Sequence, residues 1–354
     1  MDDAEGAARP HRVSIVIPVY QGELTLRRLL DEIRPLAKPQ HTPDGHPFLV
    51  EEVLLVFDHG PDDSAAVIRD LAVMHDVVRP VWLSRNYGQH AATLAGMASS
   101  GGEWIVTMDE DGQHDPADIG GLLDTALRTQ SSVVYAQPTN PAPHGFARNA
   151  ASATAKWIVA RALAGKGASE YQSFRLVLGE TGRAVAAYAG SGVYLDVALG
   201  WIAGSVSTSP VALRDEHDRR SGYRLRTLLS HFWRMVLSSG TKGLRIVSIL
   251  GLAFALLGGL LVAYILVSTI FFAGSTGSGV RGWTSTMVVV LLSTGAILFS
   301  LGVIAEYIGV SVNMAMGKPA YLITSDPGAG PLGRARNTRP EDHVPAPSSI
   351  DRPR

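Results

Sequence analysis

Apolar positions in this chain come in short runs that alternate with helically spaced ones. Residues 13–19 form an apolar run carrying Pro18, and Leu24, Leu26, Leu29, Leu30 and Ile33 follow at helical spacing, which predicts a strand and then a helix. A Pro- and His-rich loop over 38–47 interrupts the pattern before a second strand at 53–57, after which Asp62, Asp63 and Ser64 offer helix-start chemistry. The rhythm resumes with a strand at 77–83, a helix at 89–100, a strand at 104–108 and a helix at 116–128. Strands and helices alternating through short connections predict a mostly parallel sheet covered on both faces. Ligands of such sheets sit beyond the carboxyl ends of the strands. Polar residues cluster at those ends, at 20–23, 58–63, 85–88 and 109–114. Past Val133, Val134 and Tyr135 the pattern weakens into a loop, a helix from about 146 to 164 and a Gly-rich stretch before Phe174-Arg175-Leu176.

A different pattern takes over near the carboxyl end. No charged residue lies within 246–272 or within 284–305, and each run exceeds the roughly 20 apolar residues that cross a hydrocarbon core. Two spanning helices are expected, at 246–272 and 284–308. Before them, Leu225, Leu228, Leu229, Phe232 and Val236 lie on one side of a helix over 223–237, with Arg224, His231 and Arg234 elsewhere, a pattern suited to the headgroup level of a membrane. The whole divides into an N-terminus (1–12) expected to be disordered, a catalytic domain (13–215), a juxtamembrane segment (216–245), the spanning pair (246–309) and a tail (310–354) expected to be disordered from about 325.

Composition narrows the picture further. The first twelve residues hold Asp2, Asp3 and Glu5 and no apolar run, unlike a secretory signal. Basic residues precede the first span and follow the second, while the connector carries only Arg281. By the positive-inside rule, the catalytic domain and both termini are therefore expected on the cytoplasmic side of an inner or plasma membrane. The chain has no cysteine, which excludes disulfides and thiolate chemistry. A formal net charge of -1 gives no reason to expect a nucleic-acid partner. Gly251, Gly258 and Gly259 permit close helix packing within the pair or between chains, which leaves a homo-oligomer open.

The chemistry concentrates where the fourth strand ends. Met108-Asp109-Glu110-Asp111-Gly112-Gln113-His114 places carboxylates at i and i+2, and at a strand end two such groups can converge on Mg²⁺ or Mn²⁺ whose other ligands are diphosphate oxygens and water. A solvated acidic loop is the plain alternative. Asp58, ending the second strand, can accept a hydrogen bond from a base N–H or a ribose hydroxyl, or can cap a helix. Arg85-Asn86-Tyr87-Gly88 closes the third strand, where Gly88 is free to adopt a backbone shape closed to other residues.

Taken together, Ile17-Pro18-Val19-Tyr20, Asp58 with Gly60, Arg85-Asn86-Tyr87-Gly88, Met108-Asp109 with Asp111 and Gln113, Phe174-Arg175-Leu176 and Ser221-Gly222-Tyr223 resemble family 2 glycosyltransferases of the polyprenyl-phosphate type. Glu306-Tyr307-Ile308-Gly309 and Lys318-Pro319 with Tyr321 extend the resemblance through the second span, so that it covers roughly 12–323. The resemblance implies an α/β fold: a GT-A, Rossmann-like catalytic domain, then an amphipathic helix and a two-helix transmembrane hairpin. It implies inverting transfer of a hexosyl or pentosyl unit from a UDP- or GDP-linked nucleotide-sugar to polyprenyl phosphate among membrane lipids, for cell-envelope glycosylation. Pro18, Tyr20, Asp58 and Asn86 would line the nucleotide pocket, with Gln113 beside Asp109 and Asp111, which would hold the metal and diphosphate. Arg148, Arg175, Arg219 and Arg220 would grip the acceptor phosphate, where a guanidinium fork suits phosphate oxygens, and Arg175 would stand with the two aspartates as catalytic.

Several positions depart from the family's pattern. His59 and Pro61 stand in the usual Asp-Asp-Gly-Ser turn, Gln21-Gly22 replaces Asn-Glu, Ser173 takes the place of an acid before Phe-Arg-Leu, and Val310 replaces an arginine. A divergent donor is expected from these changes. Two competing readings are a processive polysaccharide synthase, against which stands the absence of a Gln-x-x-Arg-Trp motif, and a catalytically silent scaffold of the same fold.

Overall fold

The computed structural model describes residues 9–140, 172–190, 193–214 and 283–330, together with scattered positions between 251 and 267. The helix expected at 146–164, the amphipathic helix at 223–237 and the 273–282 connector lie outside the described residues.

The opening unit is β1 (His11–Val19), α1 (Leu26–Ile33), a two-residue strand β2 (Gln40–His41) and β3 (Pro47–Phe57). It is followed by α2 (Ser64–Met74), β4 (Val78–Leu83), α3 (Gln89–Ser99), β5 (Trp104–Thr107), α4 (Ile119–Thr129) and β6 (Val133–Pro138). Then come β7 (Arg175–Leu178), α5 (Gly179–Tyr188), α6 (Leu195–Ile202), β8 (Val206–Val211), the long helix α7 (Trp283–Ala315) and β9 (Ile323–Thr324). The sheet order is β8-β6-β7-β5-β1-β3-β4-β9, with β2 paired to β3.

Strand alternation explains why the inner strands are nearly continuous in apolar residues. Val13, Ile15, Ile17 and Val19 of β1 point to one face with Val53, Leu55 and Phe57 of β3, where α1, α2 and α4 cover them. Val16, Leu54 and Val56 point to the other face, under α3, α5 and α6. Both faces are thus protein-covered, as a parallel block requires. Each fully buried Ile or Leu there contributes about 1.5–3 kcal/mol.

The structure corrects the sequence reading in several places. Pairing is parallel across β5-β1-β3-β4, but β7 inserts antiparallel between β5 and β6 and β9 is antiparallel to β4, so the sheet is mixed. Strand β1 begins at His11, opposite Phe48, and Arg12 is held by Glu51 and Glu103, so order starts inside the stretch expected to be disordered. The loop expected at 38–47 contains β2. The sheet does not end near residue 215, because β9 joins it from beyond helix α7. Residues just past 325 are also held in place, because Asp326 is bound by Arg69.

Helix α7 is 33 residues long, about 50 Å at 1.5 Å per residue. Its stretch Ser293–Asn313 is the one helix among the described residues long and apolar enough to cross a membrane. Apolar side chains along it stand in the open: Leu298 is 63% exposed and Phe299 56%. The helix continues beyond the expected end at 308 because no breaker occurs until Gly317 takes a left-handed φ of 63° and Pro319 follows. Of the first expected span, the described positions, among them Gly251 and Leu260, are helical; the remainder lie outside the description, so one candidate span is seen and not the pair.

Candidate active site

The carboxyl ends of β1, β3 and β5 and the loop between β4 and α3 surround a cleft of about 350 Å³, lined by Pro18, Val19, Tyr20, Asp58, Asn86, Gly88, Gln89, Asp109, Glu110 and Asp111. Six residues singled out from the sequence, Pro18, Tyr20, Asp58, Asn86, Asp109 and Asp111, therefore come together on one surface.

Asp109 is aimed by three contacts. Its Oδ1 accepts from Gln89 Nε2 at 2.6 Å, its Oδ2 accepts from Ser173 Oγ at 2.6 Å, and its backbone N–H donates to His114 Nδ1 at 3.0 Å. Ser173 thus explains one departure from the family pattern: at this distance a second acid would repel Asp109, whereas a hydroxyl donates to it. His114 is buried and stacks on Phe174, ring centroids 4.9 Å apart. Burial lowers its pKa against the pull of Asp109 and Asp111, which suits a neutral ring whose Nδ1 accepts. Asp111 Oδ1 accepts the Gln113 N–H at 3.0 Å, closing the turn through Gly112.

Gln113 itself is not among the residues lining the cleft. Its backbone shapes the loop, and its carbonyl accepts the Arg214 N–H at 3.0 Å. Arg214 in turn pairs with Glu32 and with Asp115, tying the acidic loop to α1.

Asp58 has a role that the sequence did not disclose. Both of its oxygens hold backbone: Oδ1 accepts from Tyr87 N at 2.7 Å and Oδ2 from Gly88 N at 2.8 Å. Burial raises its pKa, against those two hydrogen bonds. It does not cap a helix; from its place on the cleft wall it fixes the 84–88 loop. Gly88, at φ 89°, is the conformation in which this loop enters α3.

The altered turn after Asp58 is also accounted for. His59 adopts φ 53° and its Nε2 lies 2.6 Å from the Leu83 carbonyl, a donating contact that braces the end of β3 against β4. Gly60 follows because a Cβ there would lie 1.4 Å from the Tyr20 carbonyl.

Arg175 is a correction. It is 3% exposed and forms a buried ion pair with Asp196, while its Nε donates to Thr107 Oγ1 at 3.1 Å. Thr107 Oγ1 donates to the Ser173 carbonyl at 2.6 Å, beside the hydroxyl that aims Asp109. Burial, the Asp196 carboxylate and the Thr107 hydroxyl hold this guanidinium behind Asp109, and it is not among the residues lining the cleft. Arg148, Arg219 and Arg220 lie outside the described residues.

Sequence reasoning missed Gln89, Glu110, Ser173 and His114. Glu110 accepts the N–H groups of Tyr20 at 3.0 Å and Gln21 at 2.9 Å. Its place between two aspartates at a strand end was the available signal.

The family model described as glycosyl transferase family 2 matches residues 14–175. An undecaprenyl-phosphate 4-deoxy-4-formamido-L-arabinose transferase of Sodalis glossinidius is 28% identical over 333 residues, 93% of this chain and 98% of its own. The transferase of the same name from Serratia proteamaculans is 28% identical over 337 residues, 94% of this chain and 98% of its own. Among solved structures, S. aureus TarS in complex with UDP-GlcNAc aligns with a TM-score of 0.45 and 13% identity, over 64% of this chain and 66% of that one.

Proposed function

We propose that this chain, whose residues 14–175 match the glycosyl transferase family 2 model, is a glycosyltransferase that moves a sugar from a nucleoside diphosphate to polyprenyl phosphate at the cytoplasmic membrane face. The observation that carries the reading is the convergence of Pro18, Tyr20, Asp58, Asn86, Asp109 and Asp111 on one cleft in a domain joined by β9 to a membrane-length helix. Two relatives that align over nearly their whole length are named as undecaprenyl-phosphate 4-deoxy-4-formamido-L-arabinose transferases, which supports a polyprenyl-phosphate acceptor here.

Asp109 and Asp111 suit a hard divalent cation, Mg²⁺ or Mn²⁺. Among the described residues no cluster of three or more His, Asp or Glu forms a self-sufficient cage, and two carboxylates on a cleft fit an ion whose remaining ligands are diphosphate oxygens and water. When bound, the ion supplies charge neutralisation on the departing diphosphate. The chain's own groups do the rest. Gln89 and Ser173 fix the Asp109 carboxylate, Asp58 holds the 84–88 loop so that Asn86 faces the cleft, and Glu110 fixes the Tyr20 backbone.

A lipid phosphate is already an anion at neutral pH, so a single displacement with inversion needs positioning and charge stabilisation more than a general base. Arg148, Arg219 and Arg220 remain the residues proposed to grip that phosphate. Helix α7, whose far end returns to the catalytic sheet, keeps the cleft close to the membrane surface, and the basic residues flanking the apolar segments support a cytoplasmic catalytic domain.

The test is a panel of UDP- and GDP-sugars offered to the detergent-purified full chain with polyprenyl phosphate and Mn²⁺, with Asp111→Ala as control. Labelled lipid product from at least one donor, absent in the variant, is expected. No product from any donor, or equal product from the variant, contradicts the reading.

A further inference from the structure

The segment that follows the membrane helix does not leave the catalytic domain. Strand β9 pairs antiparallel with the end of β4, Ile323 opposite Leu83 and Thr324 opposite Trp82, and the Leu322 carbonyl accepts the Ser84 N–H at 2.9 Å. Beyond it, Asp326 meets Arg69 of α2 in a two-pronged ion pair, Oδ2 to Nε at 2.7 Å and Oδ1 to Nη2 at 2.8 Å. The Gly328 N–H donates to the same carboxylate at 2.7 Å, and the Arg69 guanidinium lies 5.2 Å from the centre of the Trp82 ring. On the near side, Tyr321 Oη reaches the Ala186 carbonyl of α5 at 3.4 Å.

Ser84, which the tail holds, begins the loop that forms one wall of the cleft. Its Oγ lies 2.8 Å from Tyr87 Oη, the Tyr87 and Gly88 N–H groups are those held by Asp58, and the next residue, Gln89, donates to Asp109. A series of hydrogen bonds, joined across the Gly88–Gln89 peptide bond, therefore runs from the segment after the membrane helix to Asp109.

We propose that residues 321–330 are a clasp that couples the membrane helix to the donor cleft, with Asp326 and Arg69 as positioning residues that set the 84–88 loop. The proposal rests on the glycosyltransferase reading for its kinetic consequence, but its structural consequence is independent of it. An edge strand left open on β4 would also present unpaired backbone groups, so the clasp shields the edge while it fixes the loop.

The experiment compares the full-length protein in detergent micelles with Asp326→Ala and with the charge-reversed double variant Arg69→Asp, Asp326→Arg, by amide hydrogen exchange and by donor kinetics. Asp326→Ala is expected to speed exchange at Ser84, Tyr87 and Gly88 as well as at Thr324, and to raise the donor KM about tenfold with kcat changed less than about twofold. The double variant is expected to restore both readouts in part. Faster exchange confined to the tail, with 84–88 and the donor KM unchanged, overturns the coupling. Loss of thermal stability alone, without the KM shift, likewise reduces the segment to an edge cover and overturns it. Should wild type turn over no donor at all, the glycosyl-transfer reading falls, and exchange at 84–88 still decides whether the clasp acts.

Discussion

Carboxylates sit at both ends of the central sheet, and the two ends treat them differently. At the amino end Glu52, 6% exposed, accepts from Ser14 Oγ at 2.7 Å and from the Gly101 N–H at 2.6 Å, and pairs with Arg79. At the carboxyl end Asp58 and Asp109 also accept two hydrogen bonds each, but every donor is neutral: backbone N–H groups, an amide and a hydroxyl. Glu52, which serves the fold, is given a cation and enclosed. The carboxylates on the cleft are aimed by neutral groups and keep their charge for a ligand. Geometry is purchased at both ends; only at the amino end is the countercharge bonded directly to the carboxylate.

The largest expected effect breaks the cleft end of this comparison. Asp109→Asn should lower transfer by about 100-fold or more, the scale of removing one charge-stabilising group, while the thermal midpoint stays within a few degrees. A steady-state assay beside a melting curve checks it, and a collapse of the fold would show that Asp109 is structural.

Next comes Arg175→Ala, which leaves Asp196 buried, with the Tyr135 hydroxyl at 3.0 Å but without its cation. A loss of about 3–5 kcal/mol is expected in chemical denaturation, with activity falling because the protein unfolds. Activity lost at full stability would return Arg175 to the substrate.

Glu52→Gln sharpens the amino-end half at a smaller scale, about 1–3 kcal/mol, the range for a hydrogen-bonded charged group. Burial raises the Glu52 pKa, but the Gly101 N–H, the Ser14 hydroxyl and Arg79 outweigh it, and the net shift is downward. A carboxyl depressed in the folded state contributes stability that is complete above its unfolded pKa and is lost as pH falls through the folded one. Denaturation midpoints of wild type should therefore decline below the ordinary carboxylate range more steeply than those of Glu52→Gln. The smallest effect is Glu51→Ala, which removes a solvated pair with Arg12 and should change stability by under about 0.5 kcal/mol.

What the sequence disclosed follows from where its signals are local. Strands β1 and β3 were legible because both their faces are buried, which leaves a continuous apolar run. Asp109 and Asp111 were legible as cleft residues because they directly follow a buried strand whose carboxyl end opens on the cleft. Strand β7 was not, since four residues carry no period and its antiparallel insertion depends on partners far along the chain. Strand β9 was harder still: two residues paired with β4 across some 240 positions, just ahead of the segment whose Pro, Arg, Gly and Ser suggested disorder. The role of Asp58 was hidden because its partners are backbone N–H groups, which no residue type announces. Arg175 was misread because nothing in Phe-Arg-Leu reveals that Asp196 waits beneath it.

The most direct test of the central claim is calorimetric binding of UDP and GDP to the detergent-purified protein, with and without Mn²⁺, in wild type and in Asp111→Asn. The account predicts that one nucleotide binds wild type in the presence of the ion, and that binding is lost both on chelation and in the variant. Binding of equal strength with and without the ion, or unchanged in Asp111→Asn, would contradict it.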